Sequence, residues 1–128
     1  MTGESILIIE DDGIVAFHLQ EMLKRAGYCV EDPVASEKDA LDRLARLPPP
    51  DIVLVNAGEP ALSPHADAVR TFCSDRNIPV LVLTPFEGAC GARMASAGGL
   101  ETFLAKPFRD TELLPAVEKA LRSRDPAA

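Results

Sequence analysis

The sequence has few of the features that mark secreted, zinc-binding or membrane-spanning proteins. Its three cysteines, Cys29, Cys73 and Cys90, lie far apart, form no CxxC pair and are odd in number. This usage argues against a zinc site and against a disulfide framework. The longest apolar run near the N-terminus, Ile6 to Ile9, is far shorter than the about 18 residues that a membrane span needs, and no basic segment precedes it as in a signal peptide. We therefore expect free thiols and a soluble, cytoplasmic protein.

Aromatic residues and clusters of basic residues are also scarce. The chain has five Phe, one Tyr and no Trp, and its formal net charge is −7. A base-stacking platform therefore has little to be built from, and the electrostatic footprint of a nucleic-acid-binding surface is missing. We expect neither nucleic-acid nor membrane binding by this chain.

What the sequence does contain is a regular alternation of apolar runs and helix-period segments. Its length of 128 residues and its 47% of hydrophobic residues suit one domain with a substantial core. Strands are predicted at "SILIIE" (5–10), "YCVEDPV" (28–34), 52–55, "IPVLVL" (78–83) and "TFLA" (102–105). Helices are predicted at 13–27, at 37–47, near 64–76, near 88–97 and from a cap at Asp110 onward.

Local signals refine several of these elements. Gly27 is a natural stop for the first helix, and Ser36 with Asp39 forms a capping pattern for the second. Pro33 lacks a donor for a sheet ladder, so the second strand should lie at a sheet edge. The periodicity predicts inward positions at Val15, Leu19, Met22, Leu23 and Ala26 in the first helix, and at Ala40, Leu41, Leu44 and Leu47 in the second.

Five βα units predict a single α/β, doubly wound (βα)5 domain with a parallel five-stranded sheet and helices on both faces. The strand order 2-1-3-4-5 puts the second strand at the edge, and the domain spans 1–128 with a core of about 4–122. In this order the topological switch lies between the first and third strands. A site is expected where their C-terminal ends meet.

Polar residues stand at the ends of these strands. Glu10, Asp11 and Asp12 follow the first strand, and they form either a hard-cation site for Mg²⁺ or a solvated acidic turn that serves the next helix. Both interpretations stay open from the residues alone. Asn56 ends the third strand. Thr84 and Lys106 end the fourth and fifth, where a hydroxyl and an ammonium could hold phosphoryl oxygens.

The motif set resembles the receiver domain of two-component response regulators, with their chemotaxis-type, flavodoxin-like fold, from end to end. The matching segments are "ILIIEDD", "PDIVLVN" with a proline four residues on, "IPVLVLT", "GGLETFLAKPF" and "LLPAVEKAL". The resemblance implies that Glu10 and Asp11 are the metal-binding acidic pair, helped by the backbone carbonyl of Gly58. It further implies that Asn56 occupies the phosphoacceptor position, Thr84 and Lys106 the phosphoryl site, and Phe103 the switch aromatic.

Two residues depart from the family pattern. The acceptor must be a carboxylate to form an acyl phosphate, and Asn56 offers an amide with a delocalised lone pair. Pro85 has no backbone N–H, whereas relatives use that N–H to bind a phosphoryl oxygen. We therefore expect an atypical receiver, a pseudo-receiver that is not an enzyme, is not phosphorylated at Asn56 and binds Mg²⁺ weakly or not at all. An engineered replacement of the acceptor aspartate is the alternative.

The resemblance also implies partners. A histidine kinase or phosphotransfer protein would dock chiefly on the first helix, and downstream effectors or a second copy would use the fourth helix, fifth strand and fifth helix. The competing hypothesis is a Mg²⁺-dependent phosphotransfer enzyme or flavin binder on a flavodoxin-like fold. It would need an Asp nucleophile at a strand tip, or G-x-G-x-x-G after a strand, and that glycine motif is absent.

Overall fold

The computed structural model describes residues 3–10, 12–46, 48–56, 64–84, 101–105 and 109–122, and for some of these only the backbone. The described residues form five strands and four helices, which we number in chain order. The strands are β1 (Ser5–Ile9), β2 (Cys29–Val30), β3 (Ile52–Asn56), β4 (Val80–Thr84) and β5 (Glu101–Ala105). The helices are α1 (Gly13–Arg25), α2 (Glu37–Leu44), α3 (Pro64–Asp75) and α4 (Asp110–Arg122). The helix predicted near 88–97 lies outside the described residues, so α4 is the helix predicted as the fifth.

The strands form one sheet in the order β2-β1-β3-β4-β5, and each neighbouring pair is parallel. The α/β architecture with a parallel sheet that the sequence predicts is confirmed. None of the described helices combines the length and the apolar composition that a membrane crossing requires.

Helices cover both faces of the sheet because the central strands carry continuous runs of buried apolar residues, at 6–9, 52–55 and 80–83. Alternate residues such as Leu7 and Val53 face α2 and α3, where they pack with Ala40, Leu44, Val69 and Cys73. The intervening residues, such as Ile8 and Leu54, face α1 and α4 and pack with Leu19, Leu23, Leu113 and Val117. The two cores therefore meet at the sheet, as in a doubly wound domain.

Helix α1 has a well-defined start and end. Asp12 caps its N-terminus, and Gly27, at φ +99°, follows its C-terminus as predicted. The Gly27 N–H donates to the Lys24 carbonyl at 3.0 Å and the Tyr28 N–H to the Leu23 carbonyl at 3.2 Å, which is the Schellman pattern.

One inward position of α1 was predicted wrongly. Leu19, Met22 and Leu23 are buried, but Val15 is 38% exposed and Ala16 is buried in its place. Ala26, the C-cap residue, is half-buried against the same core. The first turn of α1 follows the C-terminal end of β1, so the sheet does not extend far enough under the helix to cover Val15.

The second strand is shorter than predicted. β2 contains only Cys29 and Val30, and pairing with β1 resumes at the isolated bridge between Ile9 and Val34. The amides of Glu31 and Val34 donate to the carbonyls of Ile6 and Ile8, so three steps along one chain match two along the other. The extra residue forms a bulge at Asp32–Pro33, and β2 lies at the sheet edge.

Of the two other helix caps predicted from the sequence, one is confirmed and one is wrong. The Ser36 hydroxyl accepts from the Asp39 N–H at 3.1 Å, as the capping pattern predicts. At α4 the predicted cap Asp110 is instead the first helical residue, because the Arg109 carbonyl accepts from the Leu113 N–H at 3.0 Å. Helix α2 ends at Leu44, with Ala40 and Leu44 buried and Leu41 packed against them, while Leu47 lies outside the described residues.

Candidate functional site

The strand register brings Glu10, Asn56 and Thr84 to the C-terminal end of the sheet. Ile9 pairs with Val55, so Glu10 and Asn56, the next residue on each strand, lie at the same level across the topological switch. Asn56 pairs with Leu83, and Thr84, one residue further, pairs with Ala105 at the end of β5. The C-terminal ends of β1, β3, β4 and β5 therefore meet at one edge, where open α/β sheets place their sites.

Several predicted site residues lie outside what the structure describes. Asp11, Gly58, Pro85 and Lys106 are not described. Asn56, Thr84 and Phe103 are described only by their backbone. Phe103 lies in β5 and pairs with Val82 of β4. Their positions along the strands are known, and their proposed roles remain predictions.

Glu10 is the described acidic residue at the switch. It is only 8% exposed, its N–H donates to the Val34 carbonyl at 2.9 Å, and its Oε1 accepts from the Asp12 N–H at 3.0 Å. Burial of a carboxylate is costly unless it is hydrogen-bonded or paired. Glu10 is thus held through its N–H by the Val34 carbonyl and through its carboxylate by the Asp12 N–H.

Asp12, the third acid of the turn, serves the next helix. Its Oδ1 accepts from the Ile14 N–H at 2.9 Å and from the Val15 N–H at 3.3 Å. These are two of the four amides that a helix N-terminus leaves without an intrahelical acceptor. Of the two interpretations of the acidic triplet, the helix-serving one is therefore observed for Asp12.

The donor set at this edge fits a hard cation only in part. A carboxylate oxygen, as on Glu10, is a ligand that Mg²⁺ prefers, whereas the amide of Asn56 brings no negative charge. Across the described parts of the chain, His, Cys, Asp and Glu side chains form no group of three or more that could hold a metal ion.

A feature that sequence reasoning missed is an exposed apolar surface on α1 beside this edge. It consists of Ile14, 83% exposed, Phe17, 61% exposed, and Val15, 38% exposed, and we call it the α1 apolar surface. The signal was present in the sequence. Ile14 and Phe17 are three residues apart and lie on the helical face opposite Leu19 and Leu23.

A concave region lies beside β2, at the lateral edge of the sheet. It is a groove of about 700 Å³ lined mainly by Glu31, Asp32, Asp39, Asp42, Arg43 and Arg46. The Arg43 guanidinium makes a two-pronged ion pair with Glu31, with Nη2 2.6 Å from Oε2, and donates to the Pro48 carbonyl at 3.2 Å. Arg43 is thus engaged by groups of the protein itself.

Comparison with known proteins agrees with this geometry. A family model described as the response regulator receiver domain matches residues 6–118. The transcriptional regulatory protein PdtaR of Mycobacterium tuberculosis is 33% identical over 116 residues, which cover 91% of this chain and 56% of that protein. The transcriptional regulatory protein PhoP of Escherichia coli O157:H7 is 26% identical over 121 residues, covering 91% and 52%. The chain thus spans about half the length of the curated relatives it matches.

Solved structures give the same result. A putative response regulator from Chloroflexus aurantiacus superposes with a TM-score of 0.75 at 30% identity, covering 93% of this chain and 98% of the other. The signal receiver domain of a signal transduction histidine kinase from Syntrophus aciditrophicus superposes with a TM-score of 0.76 at 27% identity, covering 97% and 94%.

Proposed function

The chain belongs to the response regulator receiver domain family, and from this membership we propose that it is an atypical receiver that signals by protein contact without phosphorylation at Asn56. Receiver domains of this family act in two-component signalling. The observation that carries the proposal is the position of Asn56, at the C-terminal tip of β3 and level with Glu10 across the switch.

The chemistry of the amide supports the absence of phosphorylation. Attack on phosphorus requires an anionic oxygen, and a side-chain amide is neutral with a delocalised lone pair. The same replacement removes one anionic oxygen from the cation site beside Glu10. Mg²⁺ binding should therefore be weak, since affinity for this ion depends on the number of charged oxygen ligands. Asp11 and the Gly58 carbonyl remain the other proposed ligands, while Thr84, Lys106 and Phe103 would keep their places without their usual phosphoryl-dependent roles.

The α1 apolar surface supports contact as the mode of action. Ile14 and Phe17 expose apolar side chains to solvent directly after the acidic turn. Three side chains supply far less than the about 800 Å² per partner of a standard stable interface, so they suit the centre of a small, transient contact. We propose a histidine kinase or a phosphotransfer protein as the partner on this helix. Self-association or effector binding through the predicted fourth helix, β5 and α4 stays a separate prediction.

Intact-mass measurement tests the phosphorylation part. The chain and its Asn56→Asp variant are each incubated with Mg²⁺ and a small phosphodonor such as acetyl phosphate. We expect the Asn56 chain to gain no phosphate. A gain by the Asn56 chain, for example on Asp11, would contradict the proposal. A variant that gains phosphate would show that the amide alone blocks the acceptor site. A variant that gains none would show that Pro85 or another change disables the site independently.

Binding to purified histidine kinase and phosphotransfer domains tests the contact part. The chain is measured against a panel of such domains by calorimetry, together with the double variant Ile14→Ser, Phe17→Ser. We expect the double variant to lose binding that the unchanged chain shows. Lys38→Ser is the matched control, because it changes an exposed residue in the first turn of α2, on the other face of the sheet. Equal binding by all three proteins would remove α1 from the proposal.

A further inference from the structure

The acidic turn and the α1 apolar surface are joined by consecutive hydrogen bonds. The Glu10 carboxylate accepts from the Asp12 N–H at 3.0 Å, and the Asp12 carboxylate accepts from the Ile14 and Val15 N–H groups at 2.9 and 3.3 Å. Each bond spans only two or three residues. The series therefore connects the buried acid at the tip of β1 to the backbone of the first exposed apolar residues of α1.

These amides belong to two of the three residues that form the α1 apolar surface. Ile14 and Val15 lie in the first helical turn, and Phe17 stands on the next. A first turn without a capping acceptor leaves its amides to water and frays, because the intrahelical ladder begins only beyond it. The packing of Ala16 and Leu19 holds the inner face of the helix, but Ile14 has little of its side chain against the core. The backbone position of Ile14 thus depends largely on Asp12.

We propose that Asp12 is a positioning residue for the α1 apolar surface, holding Ile14, Val15 and Phe17 in a fixed relation to Glu10 at the strand tip. This inference rests on the proposed function, since it assigns to Asp12 the geometry of the surface through which the partner is recognised. Glu10 and Asp12 accordingly have different roles. The Glu10 carboxylate accepts from the turn, whereas the Asp12 carboxylate accepts from the first turn of α1.

The cap of α2 shows what a purely structural cap looks like in the same molecule. The Ser36 hydroxyl accepts from one amide, that of Asp39, and the residues of the turn that it caps, Lys38 and Asp39, are polar and exposed. Removing either cap should cost a similar amount of helix stability. Only the removal of the Asp12 cap should disturb an exposed apolar surface, and this difference supplies a matched control.

The test uses four proteins: the unchanged chain, Asp12→Ala, Asp12→Ser and Ser36→Ala. Amide hydrogen exchange is measured at Ile14 and Val15, and affinity is measured for a kinase or phosphotransfer domain that the unchanged chain binds. We expect Asp12→Ala to speed exchange at both amides by about two- to thirtyfold, the range that loss of an N-cap implies. Its apparent dissociation constant should rise as the inverse of the fraction of molecules in which the first turn is still formed.

Asp12→Ser should restore both quantities, because a serine hydroxyl can accept from the same amides. Ser36→Ala should leave both unchanged, although it lowers overall stability. Unchanged exchange in Asp12→Ala would overturn the inference, and so would faster exchange with an unchanged dissociation constant, while the proposed function would stand in either case. Failure of the unchanged chain to bind any kinase or phosphotransfer domain would instead overturn the contact function, and the positioning role with it.

Discussion

Ser5 and Asp51 join the N-terminal ends of β1 and β3 by reciprocal hydrogen bonds. The Ser5 N–H donates to Asp51 Oδ2 at 2.7 Å, and the Asp51 N–H donates to the Ser5 carbonyl at 2.9 Å and lies 3.1 Å from the Ser5 hydroxyl oxygen. Both strands then run in parallel over the same number of residues. Glu10 lies five residues after Ser5, and Asn56 lies five residues after Asp51. The Ser5–Asp51 pairing at the N-terminal ends of the strands therefore matches the register that places Glu10 level with Asn56 at their C-terminal ends.

Asp51→Ala should therefore destabilise the domain, because it leaves the half-buried Ser5 N–H without its side-chain acceptor. We expect a loss of about 1–3 kcal/mol in the free energy of unfolding, measured by urea denaturation. Asp42→Ala, which removes an exposed carboxylate from α2, is the control and should change stability by less than about 0.5 kcal/mol. Equal stability of the two variants would mean that the Ser5–Asp51 hydrogen bonds contribute nothing measurable to the free energy of unfolding.

Phe17→Ser should leave stability almost unchanged, within about 0.5 kcal/mol, because its side chain is already largely in water in the free protein. Leu23→Ala, on the buried face of the same helix, should cost about 2–5 kcal/mol by removing core contacts and opening a cavity. Thermal or urea unfolding of the two variants makes the comparison. A large loss in Phe17→Ser would show that the α1 apolar surface is covered within the molecule.

Tyr28 should ionise at a higher pH than a free tyrosine. Burial raises the pKa of its phenol above 10.0, and the nearby carboxylates of Glu118 and Glu4 raise it further. Tyr28 is the one tyrosine of the chain, so the ultraviolet absorbance of tyrosinate follows it alone. Glu118→Gln should lower the midpoint of this titration, and an unshifted midpoint would exclude that carboxylate as a cause.

The same pKa shift has a defined sign for stability. The folded protein holds the phenolic proton more tightly than the unfolded chain, so protonated Tyr28 stabilises the folded state. This stabilisation is complete below the unfolded pKa of about 10 and is lost as the pH rises through the pKa of the folded protein. The thermal midpoint should fall in that alkaline range. Tyr28→Phe should reduce the alkaline fall, whereas an identical fall in both proteins would assign it to other groups.

Replacing Arg43 by lysine should lower the stability of the domain. Its guanidinium binds both oxygens of Glu31 and reaches the Pro48 carbonyl, which a single ammonium cannot reproduce. We expect Arg43→Lys to lower the free energy of unfolding by about 1 kcal/mol. This is less than the roughly 1.5–3 kcal/mol of a hydrogen bond to a charged group, because lysine keeps the charge and solvent partly screens the pair. A double-mutant cycle with Glu31→Gln measures the coupling, and a coupling near zero would contradict this account.

Much of the fold follows from sequence patterns that are local in origin. Buried parallel strands read as continuous apolar runs, and Gly27 and Ser36 carry stop and start signals that their own backbone geometry requires. The positions of Glu10, Asn56 and Thr84 at strand ends follow from the same runs, because a strand that is buried on both faces ends where polar residues begin.

The tertiary structure decided what depends on contacts between distant segments. Whether Val15 or Ala16 is buried depends on how far the sheet extends under α1, and the bulge at Asp32–Pro33 depends on the β1 residues that pair with it. The helical period places Phe17 on the face opposite Leu19 and Leu23, and the packing of the other elements leaves its side chain 61% exposed.

The division of roles within Glu10-Asp11-Asp12 is the clearest case. The sequence by itself determined that acids stand at the tip of the first strand, since that follows from the end of an apolar run. Only the folded backbone decided that Glu10 is buried beside Val34 while Asp12 turns outward to cap α1. The physical reason is that burial and hydrogen bonding of a carboxylate are set by neighbours from other segments, which a linear pattern does not specify.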